Sequence, residues 1–224
     1  MAWGLALLSA ILIGYLVGAI PSGVIVSRVL AGRDPRAVGS GHTGGLNTAR
    51  TIGAAGFFLA GAPDAIKGVA ALVLVRQFVT ADPWVGAAAG VAAVAGHCWP
   101  VYIGFSGGMG ISVLGGLMLF LSPLVVPVVI ALWAALRFTA IRHTPRSVAL
   151  AALATGPAAW LFNAPPPVVA LGAAGGLVLF IRHLHDWRRV YRPSASEGHN
   201  ETPRPSQASV EKSRSPQSGP SARG

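Results

Sequence analysis

The chain has 224 residues, 53% hydrophobic and 11% charged, where a typical soluble domain is about 25% charged. A formal net charge of +10 would point to nucleic acid in a soluble protein. Here the basic residues fall in short connections and a tail, between long uncharged stretches. That excludes an ordinary soluble core and reads as membrane orientation, not nucleic-acid binding.

Crossing a bilayer takes about 20 apolar residues. The first such segment runs from about Trp3 to Leu30 and contains Pro21. It starts apolar, without the basic region of a cleaved signal peptide, and reads as a retained span. The second runs from about Ile52 to Val79 and carries Asp64, Lys67 and Arg76. The third runs from about Pro83 to Ile103. The stretch from Ile111 to Ala140 would be ~45 Å long as one helix, too long for a single crossing. Ser122-Pro123 marks a turn near its middle and splits it in two. Ser147–Phe162 and Pro165–Ile181 complete a count of seven spans in an all-α bundle. From about Pro193 to Gly224 the composition turns to Ser, Pro, Arg, Gly and Glu. This reads as a disordered basic cytoplasmic tail that cannot bury enough surface to order itself.

An odd count puts the termini on opposite sides, and charge tests it. Alternate connections hold Arg33, Arg36 and Arg50, then a glycine loop, then Arg137, Arg142 and Arg146, then Arg182, Arg188, Arg189 and Arg192. The other connections hold Thr80-Ala81-Asp82, Ser122-Pro123 and Asn163 to Pro167. The excess of arginine places the first set in the cytoplasm and the N-terminus outside.

Three cytoplasmic connections carry possible chemistry. In the first, Gly39-Ser40-Gly41-His42-Thr43-Gly44-Gly45 has four glycines in seven residues, followed by Asn47 and Arg50. Such a turn can aim backbone N–H groups at an anion, with Arg50 adding a phosphate-matching fork; a plain hydrophilic connection is the other reading. The second joins His97-Cys98-Trp99-Pro100 to Ser106-Gly107-Gly108-Met109-Gly110 and then a helix. A glycine loop feeding a helix N-terminus suits phosphate, though it also suits a tight packing turn. It has neither a P-loop ending nor a Rossmann context. The third is Arg182-His183-Leu184-His185-Asp186-Trp187. If the helix continues there, His183 and Asp186 share a face, and the carboxylate can fix the imidazole as a base. The alternative is an interfacial belt of Trp187 and arginines. Asp64 and Lys67 also share a face inside the second span, either as a structural ion pair or as functional groups. The single cysteine, Cys98, reads as a packed small residue, and no spacing suggests a metal.

Taken together, these loops resemble the bacterial acyl-phosphate:glycerol-3-phosphate acyltransferases of the inner membrane. The resemblance rests on GYLVGAIPSG, DPRAVGSGHTGGLNTARTIG, DAIKG, GHCWPVYIGFSGGMG and RHLHDW, in that order, from about Gly14 to Arg192. It implies seven spans with three motif loops on the cytoplasmic side of the plasma membrane. It also implies transfer of a fatty acyl group from acyl phosphate to the 1-hydroxyl of glycerol 3-phosphate. The product is lysophosphatidic acid, and no metal or other cofactor takes part. An acyl-phosphate-producing enzyme is an implied partner. By the same resemblance, Ser40, Arg50, His183 and Asp186 carry catalysis. Gly41, Asn47, Ser106, Gly107, Gly108 and Gly110 hold phosphate, with support from His42, Asp64, Lys67 and His97. The chain departs from the family pattern where Ser106 and Met109 replace two lysines. It departs again where His42 and Asp186 each replace an asparagine, and where Gly45-Leu46 replace Ala-Thr. Each lost lysine removes charge-assisted bonds of about 1.5–3 kcal/mol if desolvated. A second expectation is therefore a weakened relative that binds a lipid, a phosphorylated ligand or a partner enzyme. A transporter fits less well, as no inverted repeat of broken helices is seen.

Overall fold

A computed structural model describes residues 1–188. The expected tail from Pro193 lies outside the described residues, and so do Arg189 and Arg192 of the last connection. Ten α-helices make up the described fold: α1 (Ala2–Gly18), α2 (Ser22–Ala31), α3 (Gly45–Ile52), α4 (Ala55–Phe78), α5 (Pro83–Cys98), α6 (Ile111–Leu121), α7 (Val125–Ala135), α8 (Thr144–Leu153), α9 (Thr155–Leu161) and α10 (Pro166–Leu184). Among the described residues, four stretches are long and apolar enough to cross a membrane: Ala2–Ala31, Ala55–Phe78, Pro83–Ile103 and Pro166–Leu184; Ile111–Leu121 and Val125–Ala140 are shorter apolar helices. The architecture is an all-α bundle.

Helix boundaries follow local chemistry. Asp82 caps α5 by accepting from Trp84 N (2.8 Å) and Val85 N (3.3 Å), with Pro83 in the first turn. Those backbone N–H groups hold the exposed Asp82 carboxyl below the usual carboxylate range. Ser122 leaves helical geometry at φ −155 and ψ 77, and Pro123 follows, so the long apolar stretch divides where the proline predicts.

The edges of other expected segments differ. The first breaks at Ala19–Pro21, because a proline ring blocks continuous helix there. The second starts at Ala55, after Gly53 (φ 89) ends α3. The Ser147–Phe162 segment is two pieces, 144–153 and 155–161, joined at Ala154.

The helices pack through small residues. Cβ atoms on Gly14 and Gly18 would lie 2.2 and 2.1 Å from the Ala89 and Ala93 carbonyl oxygens. Any side chain at those two positions of α1 would push α5 away. The opposite face of α1 leaves Leu5, Leu8, Ile11, Leu12 and Leu16 exposed, an apolar surface suited to lipid.

The connections gather at two ends. At one, Trp3 Nε1 donates to Asp82 Oδ2 (3.1 Å). There the 80–83 turn, Leu121 and Pro165–Leu171 line a hollow of about 210 Å³. At the other end, Arg36 Nη1 donates to Ile103 O (3.0 Å), and Arg146 Nε donates to Trp187 O (2.9 Å). The three motif connections meet at this second end.

Candidate functional site

The first motif loop is held by one aspartate and one asparagine. Asp34 accepts from Arg36 N, Nε and Nη2 (2.8–3.0 Å) and from Arg28 Nη2 (3.0 Å). The Arg36 side chain is the main cause holding its carboxyl well below the ordinary range, and Asp34 in turn raises the Arg36 pKa. Asn47, on α3, donates through Nδ2 to the carbonyls of Pro35, Val38 (3.1 Å) and His42 (2.9 Å), while its Oδ1 accepts from Ser40 N (3.0 Å). One primary amide has two N–H donors, and three carbonyls already share them. The geometry therefore gives Asn47 the work of shaping the loop, with no donor left for a ligand. Gly39 (φ 55) and Gly41 (φ 73) flank Ser40. This left-handed pair turns the backbone around the serine where a side chain would be strained. Arg50, at the end of α3, lies against this turn: a Cβ on Gly39 would be 3.0 Å from Arg50 Cδ. Sequence spacing alone could not show that contact.

The second loop packs on the end of α5. Gly108 N donates to His97 O (3.1 Å), and Gly110 (φ 80) opens α6. Gly107, Gly108 and Gly110 are buried, whereas Ser106 is exposed and its hydroxyl donates to Gly104 O (3.3 Å).

The third connection differs from expectation. Helix α10 ends at Leu184, so Asp186 lies in a turn. His183 is 2% exposed, and its Nδ1 lies 2.7 Å from Leu179 O. A carbonyl only accepts, so Nδ1 carries a hydrogen, and whenever the ring is neutral Nε2 keeps the lone pair. The Leu179 carbonyl, one turn earlier, thus fixes a hydrogen on His183 Nδ1. Asp186 is fully buried and its Oδ2 is in hydrogen-bond contact with His42 Nε2. The two polar groups lie 144 residues apart in sequence.

Arg182 joins the three loops. Its Nε donates to Gly108 O (3.0 Å) and its Nη2 to Gly107 O (3.2 Å), while Nη2 also lies 3.4 Å from His42 Nδ1. The guanidinium stacks over Trp99 at 5.9 Å. Sequence reasoning counted Arg182 only as a charge that orients the membrane segments. The signal available was its place next to His183 in the last turn of a helix, where a cation also suits the dipole.

Asp64 and Lys67 do pair inside α4, at 2.9 Å, and His97 joins them. Among the described residues, no group of three His, Cys, Asp or Glu side chains is placed to hold a metal. The arrangement brings the first-loop turn, the buried glycines and the His183 end of α10 into one polar cluster. It combines backbone turns able to accept an anion with arginines and a buried imidazole.

Fold and site together define a polytopic helical membrane protein with one polar site built from three loops at one end of the bundle. The sequence profile of glycerol-3-phosphate acyltransferase matches residues 8–192. The glycerol-3-phosphate acyltransferase of Rubrobacter xylanophilus is 38% identical over 183 residues, covering 81% of this chain and 90% of that protein. That of Geobacter sulfurreducens is 34% identical over 182 residues, covering 80% and 90%. Crystal structures of PlsY (YgiH), an integral membrane glycerol 3-phosphate acyltransferase, superpose with a TM-score of 0.67. Its glycerol 3-phosphate form is 29% identical and its lysophosphatidic acid form 26%, each over 82% of this chain and 90% of that one. The chain belongs to the glycerol-3-phosphate acyltransferase family.

Proposed function

We propose that this chain transfers a fatty acyl group from acyl phosphate to the 1-hydroxyl of glycerol 3-phosphate, releasing lysophosphatidic acid and inorganic phosphate. It does so as a seven-span protein of the bacterial plasma membrane, with the N-terminus outside and the three motif loops in the cytoplasm. The observation that carries the reading is Arg182, which ties the glycine loop to the first loop beside His183. Support for the topology comes from charge. Arg36, Arg146 and Arg182 bond at the motif end, while the 80–83 and 163–167 connections at the other end contain no arginine. Arg76, at the end of α4, is the exception.

The chemistry is an addition and an elimination at one carbonyl carbon. The acceptor hydroxyl oxygen bonds to the acyl carbon, and the bond from that carbon to the phosphate oxygen breaks. The Nε2 lone pair of His183 takes the hydroxyl proton, and phosphate leaves with the bonding electrons. Arg50 and the N–H groups of the Gly39–Gly41 turn stabilise the phosphate charge, Ser40 orients the reacting groups, and Gly107–Gly110 take the acceptor phosphate. Acyl phosphate is already activated, so positioning and electrostatics supply much of the rate.

Ser106 and Met109 favour a second reading, a binding relative with little turnover, because no lysine stands in the glycine loop. Purified protein given acyl phosphate and glycerol 3-phosphate decides between them. Lysophosphatidate formation supports the enzyme; a folded protein without product supports the binding reading. Ser106→Lys and Met109→Lys should lower the KM for glycerol 3-phosphate, and an unchanged KM would remove the glycine loop from the phosphate site.

A further inference from the structure

Inside the bundle, directly behind the glycine loop, lies a cluster of titratable groups that the proposed chemistry does not use. Asp64, Lys67 and His97 are 1, 6 and 4% exposed. Lys67 Nζ donates to Ile20 O (2.8 Å), pairs with the Asp64 carboxylate at 2.9 Å and lies 2.9 Å from His97 Nδ1. Ionisable groups at this depth are costly, and an ion pair alone would need only the aspartate. The other two contacts reach outward. Ile20 O belongs to the break between α1 and α2, just before Pro21. His97 is the last turn of α5, against the glycine loop.

His97 Nδ1 is held between the Lys67 ammonium (2.9 Å) and the Asp64 carboxylate (3.4 Å), and the opposite ring nitrogen is Nε2. That nitrogen faces Gly108: a Cβ built there would lie 2.1 Å from Nε2, 2.7 Å from Cε1 and 3.0 Å from Cδ2. The imidazole edge is thus pressed against the Gly108 backbone, while the His97 carbonyl accepts from Gly108 N at 3.1 Å. The ring cannot rotate away without breaking its bond to Lys67. On the other side of Gly108, Arg182 Nε holds its carbonyl at 3.0 Å. The residue is held between a fixed ring and a fixed guanidinium.

We infer that Lys67 and Asp64 lock His97 as a positioning residue that sets the Gly108 backbone and thereby the affinity for the phosphorylated acceptor. The inference rests on the acyltransferase reading for its substrate. It places Lys67, Asp64 and His97 outside the reacting atoms; they act only through the glycine loop.

The test uses the full-length protein in lipid vesicles. His97→Asn keeps an acceptor near the Nδ1 position for Lys67 but withdraws the ring from Gly108. Lys67→Met with Asp64→Leu removes both buried charges together, so that neither is left unpaired. Each should raise the KM for glycerol 3-phosphate about tenfold, with kcat within about threefold and the KM for acyl phosphate unchanged. Equal losses in kcat and both KM values, or an unchanged acceptor KM, would overturn the inference. A second arm does not depend on those variants folding. Gly108→Ala should be destabilising alone and milder in the background of His97→Ala, because the clashing ring is gone. Additive melting shifts would overturn the contact, and a relieved shift supports it. If the unaltered protein forms no lysophosphatidate, the enzymatic reading fails, and the melting cycle still decides the positioning contact.

Discussion

The contact between His42 and Asp186 can be broken from either side, and the two sides should not be equivalent. His42→Asn leaves the fully buried Asp186 carboxylate without its imidazole contact. Removing one partner of a buried charged pair costs up to about 3–5 kcal/mol. Asp186→Asn leaves an imidazole, which can stay neutral, so the expected cost is about 1–3 kcal/mol for an imperfectly satisfied group. The double substitution restores two neutral polar groups that can hydrogen-bond across the same gap. Residues in direct contact couple by about 0.5–3 kcal/mol, and a value near 2 is expected here. The assay is a double-mutant cycle: equilibrium unfolding in detergent for the two single variants and the pair, with turnover measured in parallel. A double variant more stable than His42→Asn alone is the expected result. Costs that add within about 0.5 kcal/mol would refute the pairing.

Two more outcomes follow from the first loop. Asn47→Asp keeps the acceptor for Ser40 N but loses both donors to the Pro35, Val38 and His42 carbonyls. It should cost about 2–3 kcal/mol of stability, with kcat and KM disturbed together; a stable variant with only a raised acceptor KM would make Asn47 a ligand contact instead. Asp34 has a folded pKa below its unfolded value, so the stability it adds is present above about pH 4 and is lost as pH falls through the lower folded value. The gap between the native protein and Asp34→Asn should therefore be constant, about 1–2 kcal/mol, from pH 5 to 8 and shrink below pH 4 in unfolding measurements; a gap that widened in acid would contradict the Arg36 pairing.

Much of the architecture is written in local pattern. Apolar runs, the proline after Ser122 and the capping Asp82 mark helices and breaks because each acts on its own neighbourhood in the chain. The same holds for Gly39 and Gly41, where left-handed backbone demands glycine, and for the Asp64–Lys67 pair, one helical turn apart. Errors at segment edges came where a single residue, Pro21, Gly53 or Ala154, broke a pattern that hydropathy reads as continuous.

The site was legible as three loops of the right composition, but not as a set of contacts. Spacing on one helix face suggested that Asp186 would orient His183; helix α10 ends at Leu184, and Leu179 O is the partner of His183 Nδ1. Only tertiary packing brought Asp186 to His42, across 144 residues, and turned Arg182 from a membrane-orienting charge into the bond between loops. Which loop carbonyls Arg182 reaches depends on how closely α10 approaches α5, and that approach needs Gly90, where a Cβ would lie 2.6 Å from the Leu171 side chain of α10. Hydropathy records that a residue is small and apolar; which helix it faces is decided when the bundle closes.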